Sequence, residues 1–242
     1  MSITDFYKVN VKLLIGKMNI AENINYFLKQ LEGYPGRLVA ISKTKSESEI
    51  LEAYYAGQRI FGENKVQELI DKYEKLPIDI EWHMVGHLQT NKVKFIAPFV
   101  SLIHAVDSWK LLKEINKQGE KNKRIVQCLL QIHIAEEETK FGLSEVELFE
   151  LLNRSDLTEL KFVSIVGLMG MATYTDDEVQ IRKEFKYLNS LFNKVTERIK
   201  APNVEMKELS MGMTGDYQIA LQEGSTLVRI GTAIFGERSK VR

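Results

Sequence analysis

The 242-residue chain has little of what staples, interrupts or polarises a fold. Its one cysteine, Cys128, forms no internal disulfide, and the apolar run RIVQCLLQI around it marks a small buried hydrophobe. Proline occurs only 4 times, and no proline-rich, Gly/Ser-rich or low-complexity stretch divides the chain, so one domain over 1–242 is expected. The 33 basic residues balance 33 acidic ones without a long basic block, which removes the electrostatic footprint of a nucleic-acid binder. No apolar run approaches the ~18 residues that suggest a membrane span. The opening MSITDFYKVNVKLLIGKMNI lacks the basic start, uninterrupted apolar stretch and small-residue cleavage site of a secretory signal. A soluble, cytoplasmic protein is the expectation. The sequence also holds no Walker-type GxxxxGK, no dinucleotide fingerprint and no HExxH pair.

What is present is a rhythm. Short apolar, β-branched runs at 38–42, 58–62, 81–86, 101–106, 124–134, 163–172, 207–211 and 226–231 alternate with segments of helical period. Residues 5–32, ahead of the first run, also read as helical. Alternating strand and helix units imply a parallel sheet covered by helices. Eight units in this length fit a single (β/α)8 TIM barrel of the α/β class, with an additional N-terminal helix. A doubly wound open sheet is the alternative, since periodicity does not separate closed from open.

The least packing-like residues fall where these strands end. Lys43 follows the first, Glu63 and Asn64 the second, His87 the third, Asp107 the fourth, and Thr139 with Lys140 the fifth. Met169 to Met171 end the sixth, Ser210 the seventh, and Arg229 with Gly231 the eighth. In either topology the carboxyl ends of parallel strands form the ligand face. LSMGMTGDYQIALQEG and VRIGTAIFG both pass from strand to helix through glycines, where backbone N–H groups can approach an anion. Their hydroxyls are Ser210, Thr214 and Thr232, and their place in the last two units suggests a phosphate site.

Alternation puts Val39, Ile41, Lys43 and Lys45 on one face of the first strand. If Val39 and Ile41 fill the barrel, Lys43 stands at the pocket floor. There it attacks a carbonyl only when deprotonated, which desolvation or a nearby cation promotes, and Lys45 or Arg229 could be that cation. Lysine plus phosphate site suggests a Schiff base to a phosphorylated aldehyde or ketone. Other residues read more plainly. His83, His104 and His133 read as core histidines, the methionines as packing, and His87, beyond Gly86, as able to reach a ligand. No metal site is expected.

Seven motifs carry a resemblance. SKTK (42–45), FGEN (61–64), WHMVGHLQTNK (82–92), IHAVDS (103–108), GLMGM (167–171), LSMGMTGDY (209–217) and VRIGTAIFG (228–236) resemble the pyridoxal phosphate homeostasis protein family, whose members are similar to the N-terminal barrel of alanine racemase. The resemblance implies that Lys43 holds pyridoxal phosphate as an internal aldimine. It also implies that Ser210, Thr214, Gly231 and Thr232 cradle the phosphate, that Arg229 meets the pyridine nitrogen, and that Asn64 and His87 line the pocket. Three positions depart from the family pattern: Ser46 for Pro, Lys65 for an aromatic, and Thr214 for Ser, which keeps the hydroxyl. A guanidinium at the pyridine nitrogen keeps the ring a poor electron sink. The eight units leave no room for the second domain of alanine racemase. The resemblance therefore implies a monomeric carrier of pyridoxal phosphate, without robust catalytic activity and with no catalytic residues, that releases cofactor or passes it to apo-enzymes. A racemase or a Schiff-base aldolase is the alternative.

Overall fold

The alternating runs fold into eight parallel strands that close in sequence order into a barrel, each beside its neighbour and the eighth beside the first. This computed structural model describes residues 18–137 and 141–237. The strands are β1 Arg37–Ile41, β2 Ile60–Glu63, β3 Glu81–Met84, β4 Leu102–Val106, β5 Val126–Ile132, β6 Val163–Gly170, β7 Val204–Ser210 and β8 Leu227–Ile230. Closure rests on β1 pairing with both β2 and β8, with Ala40 opposite Phe61 and Val39 opposite Arg229. The open-sheet alternative is excluded.

Helix α1, Ile20–Leu31, precedes β1 and begins in a reciprocal capping box between Asn19 and Glu22. The expected leading helix is therefore present from Ile20, and the part of it before residue 18 lies outside the described residues. Then follow α2 Glu47–Tyr55, α3 Val66–Tyr73, α4 Val93–Ile96, α5 Trp109–Lys121, α6 Glu145–Leu152, α7 Glu178–Arg198, α8 Tyr217–Gln222 and the single turn α9 Thr232–Phe235. Ser46, the departure from the family pattern, caps α2: its hydroxyl accepts the Glu49 N–H while the Glu49 carboxylate accepts the Ser46 N–H. The chain is thus committed to helix three residues after Lys43.

Because successive side chains alternate across a strand, the sheet sorts its residues into two cores. Val39, Ile60, Leu102, Ala105, Leu129, Val166, Met169 and Leu227 fill the barrel, with Ile41 and Met171 partly buried above them. Leu38, Ala40, Phe61, Trp82, Ile103, Cys128 and Leu130 face outward into the larger core under the helices. Both faces being covered explains why the strands read as near-continuous apolar runs.

Candidate functional site

Val39 and Ile41 do point into the barrel. Ser42 is fully buried, Lys43 is half-buried, and Thr44 takes a left-handed φ of 63° that turns the chain toward α2. Lys45 does not act as the expected second cation. Its Nζ donates to the Phe235 carbonyl at 2.7 Å and the Glu237 carbonyl at 3.3 Å, and pairs with Glu49 at 3.3 Å. That ammonium is tied to the end of α9 instead. Glu63 also departs from expectation. It is 0% exposed, but with Ile60 inside the barrel its side chain falls on the helix side of the sheet, against Ser42 and Lys72.

The upper barrel holds a chain of polar side chains where an apolar layer would otherwise sit. Arg229 Nη1 donates to Ser210 Oγ at 2.6 Å, and Nη2 donates to the Gly170 carbonyl at 3.1 Å. Ser210 Oγ lies 2.9 Å from His104 Nδ1, and His104 Nε2 lies 3.0 Å from His83 Nδ1. Burial pulls His83 down to about 3, with the charge of Arg37 adding to it, and holds His104 well below the ordinary histidine range. Both rings are neutral at neutral pH. Burial also lowers Arg229, to about 10, so its guanidinium stays charged. One orientation satisfies every link: Arg229 donates to Ser210, Ser210 to His104 Nδ1, and His104 Nε2–H to His83. Ser210 thus faces the guanidinium inside the barrel and is 0% exposed. His83 and His104 were legible as buried residues, but only the shared face of Leu102 and His104 on β4 hinted at this chain.

The two glycine turns are joined to each other and to β1. Arg229 N–H donates to the Gly212 carbonyl at 2.9 Å. A Cβ on Gly231 would lie 3.2 Å from both Cβ and the carbonyl oxygen of Ile41, a tight contact that glycine relieves where the β8 turn lies against the strand leading to Lys43. Beyond Gly212, the Met213 N–H donates to Asp216 Oδ1 at 2.5 Å, and the Tyr217 N–H closes onto the Met213 carbonyl at 2.9 Å. This leaves Thr214 and Gly215 exposed at the tip, and Thr232 is exposed at the start of α9.

Asn64 and His87 come from neighbouring strand ends. Asn64 is half-buried, and its backbone lies against Gly86, the residue before His87. His87 Nδ1 lies 3.4 Å from Asp107 Oδ2, and its ring stacks on Phe141 with centroids 5.3 Å apart. Thr139 and Lys140 lie outside the described residues. Among the described residues, no group of three or more His, Cys, Asp or Glu could hold a metal ion, and no helix is long and apolar enough to cross a membrane.

Lys43 just past β1, beside the glycine turn of the neighbouring β8, and the polar residues at the other strand ends define a (β/α)8 barrel with its candidate site at the carboxyl rim. A family model, "Alanine racemase, N-terminal domain", matches residues 15–239. The pyridoxal phosphate homeostasis protein of Aquifex aeolicus is 40% identical over 203 residues, 84% of this chain and 87% of that one. The human protein of the same name is 37% identical over 220 residues, 87% of this chain and 79% of that one. PipY of Synechococcus elongatus, solved without PLP, has a TM-score of 0.83 at 35% identity, covering 90% of this chain and 100% of that one. Solved with PLP bound, it has a TM-score of 0.81 at 34% identity. Alanine racemase from Bartonella henselae, at 15% identity and a TM-score of 0.68, covers 92% of this chain and 60% of that one, and it shows the fold alone. The chain belongs to the pyridoxal phosphate homeostasis protein family, within the alanine racemase N-terminal domain group.

Proposed function

We propose that this chain binds pyridoxal phosphate and serves its homeostasis, holding the cofactor as a Schiff base on Lys43 and releasing it or passing it to apo-enzymes. The observation that carries the reading is a juxtaposition. Arg229 stands opposite Val39 across the β8–β1 pairing, and the Gly231 turn touches Ile41, so guanidinium, glycine turn and lysine belong to one rim. The donor set fits the group. An amine can condense with an aldehyde, losing one water and needing no oxidant or reductant. The exposed turns carrying Thr214, Gly231 and Thr232 offer hydroxyl and backbone donors for a phosphate. A charged guanidinium suits an aromatic ring nitrogen that carries no proton. The same fit is supported by the relatives' name and by the PipY structure with PLP bound.

Each residue then has a part. Lys43 supplies the amine. Thr214, Gly231 and Thr232 hold the phosphate, while Asn64 and His87 line the mouth. Arg229 meets the ring nitrogen, and Ser210 orients Arg229 by accepting its Nη1–H instead of touching the phosphate itself. The cofactor's chemistry is an electrophilic aldehyde coupled to a conjugated ring. Arg229 damps the electron-sink side of that chemistry, so Lys43 carries cofactor instead of driving turnover. In this reading the chain acts as one cofactor-binding domain over 1–242, a monomer in the cytoplasm.

Absorbance tests it. Adding pyridoxal phosphate to wild type is expected to raise a visible band that Lys43→Ala lacks. Mixing the loaded protein with an apo-enzyme is expected to restore that enzyme's activity in step with loss of the band. A wild-type protein that stays colourless sinks the cofactor assignment. Proton exchange into alanine at enzyme-like rates sinks the carrier reading in favour of a racemase.

A further inference from the structure

Directly behind the Lys43 turn, on the helix side of the sheet, lies a cluster of ionisable side chains that the cofactor reading leaves unused. Lys72, from α3, donates through Nζ to the Ser42 carbonyl at 2.8 Å and to Glu63 Oε1 at 2.6 Å. Glu63 Oε1 also accepts the Ser42 hydroxyl at 2.6 Å, while Glu63 Oε2 is buried without a partner. Glu68, one helical turn before Lys72, pairs with it at 3.5 Å and accepts the Thr44 N–H at 2.8 Å. Ser42 and Thr44 flank Lys43. Three of these contacts therefore grip Ser42 and Thr44, on either side of the lysine, from the helix side of the sheet.

We propose that Glu63, Glu68 and Lys72 are positioning residues for Lys43, fixing the Ser42–Lys45 turn from behind so that the amine meets the barrel mouth in one orientation. The inference rests on the reading of Lys43 as the cofactor-holding amine. Three observations carry it. First, the cluster's bonds to the main chain run to Ser42 and Thr44, so what it fixes is the turn. Second, desolvation offsets most of the attraction within a buried ion pair, so such a pair adds little net stability, whereas its geometry constrains strongly. Third, Thr44 sits at φ 63°, a conformation that a β-branched residue avoids unless its surroundings impose it, and Glu68 holds the very N–H involved. The Ser42 N–H on the Gly62 carbonyl and the Lys45 N–H on the Ser42 carbonyl, both at 3.0 Å, close the turn around the lysine.

Glu68→Ala removes the hold on Thr44 at a partly exposed position and leaves the Lys72–Glu63 pair intact. Stopped-flow absorbance after adding pyridoxal phosphate is expected to show the visible band forming roughly five- to fifty-fold more slowly, within the ~100-fold that a misplacement of about 1 Å can cost. The pH midpoint of the band is expected to move as well. Glu68→Gln, whose side-chain carbonyl still accepts the Thr44 N–H, is expected to restore the rate. In cofactor-free protein, amide exchange at Thr44 is expected to accelerate in Glu68→Ala, with the melting temperature little changed. Replacing Glu63→Gln and Lys72→Met together tests the other grip without leaving one charge buried alone. Wild-type rate and midpoint in Glu68→Ala overturn the inference while the carrier reading stands. A wild-type protein that forms no band overturns both.

Discussion

Two groups of buried polar side chains lie on opposite faces of one sheet, and they obey opposite electrostatic rules. Inside the barrel, Arg229, Ser210, His104 and His83 form a chain with a single charge at one end, and burial keeps both rings neutral. Outside it, Glu63, Lys72 and Glu68 are ionisable groups bonded to one another and to the backbone. The inner chain ends in the Arg229 guanidinium; the outer cluster ends in the main chain around Lys43. The difference lies in what each group holds: a side chain within the barrel, and a backbone turn behind the sheet. A line of neutral dipoles ends on the one, and a cluster of ionisable groups on the other.

The largest effect is expected at Lys72→Met, which leaves the Glu63 carboxylate buried without its counter-charge. Urea unfolding should show a loss of about 3–5 kcal/mol. A loss smaller than that of a cut in the inner chain would remove the electrostatic distinction.

The pH dependence separates the clusters by sign. Burial lowers His83 to about 3 when folded, whereas the unfolded residue takes a proton near 6.5. The unfolded state therefore binds more protons across that window. The inner chain's stability is whole above pH ~6.5 and is lost as pH falls, at up to about 1.4 kcal/mol per pH unit for each histidine. Glu63 runs the other way. Desolvation by burial raises it, against the opposing pull of Lys72, so its contribution weakens as pH climbs from 4.5 through the raised folded value. Melting curves at successive pH values should show a steep acid limb in wild type that His83→Gln flattens.

Cutting the inner chain at Ser210→Ala leaves an Arg229 donor and a His104 nitrogen without their partner. A loss of about 1–3 kcal/mol is expected in the same unfolding measurement. A shifted visible maximum in the loaded protein is expected with it, because Arg229 is no longer held toward the ring. An unshifted maximum would return Ser210 to a purely structural part. The smallest effect is expected at Thr214→Ala, exposed at the tip of its turn. Spectrophotometric titration should give about five-fold weaker cofactor binding, near 1 kcal/mol, with no change in melting temperature.

Much of this was legible because the period of two carries both strand and face. Val39 and Ile41 point into the barrel as alternation predicted, and Lys43, Asn64, His87 and Gly231 follow the carboxyl ends of their strands, with Arg229 one residue before the end of β8. Strand boundaries were legible only roughly. β2 runs Ile60–Glu63, not 58–62: the Gln58 backbone N–H still closes onto the Ala53 carbonyl of the preceding helix at 3.1 Å, while its side-chain amide donates to the Leu38 and Ile60 carbonyls. β7 begins at Val204, not 207; its first three residues, VEM, are at most partly buried and carry a charge, so they lack the apolar run that marks a strand. Glu63 ends a strand like the rim residues, yet its position relative to Ile60 turns it outward. A list of strand ends does not carry that information. Lys72 looks in VQELIDKY like a solvated helix residue paired with Glu68 at i,i+4. Its second partner is nine residues away across a strand-to-helix connection, so only tertiary packing reveals the cluster. Lys45 shares the lysine-rich motif but lies beyond the left-handed turn at Thr44, where strand alternation no longer applies.

Cofactor holding turns on one atom, the amine of Lys43. Borohydride reduction of protein loaded with pyridoxal phosphate, followed by digestion and peptide mass mapping, tests it directly. The account predicts a single reduced adduct, on Lys43, with Lys45 and Lys72 unmodified. An adduct on another lysine, or the same labelling in Lys43→Ala, would contradict it.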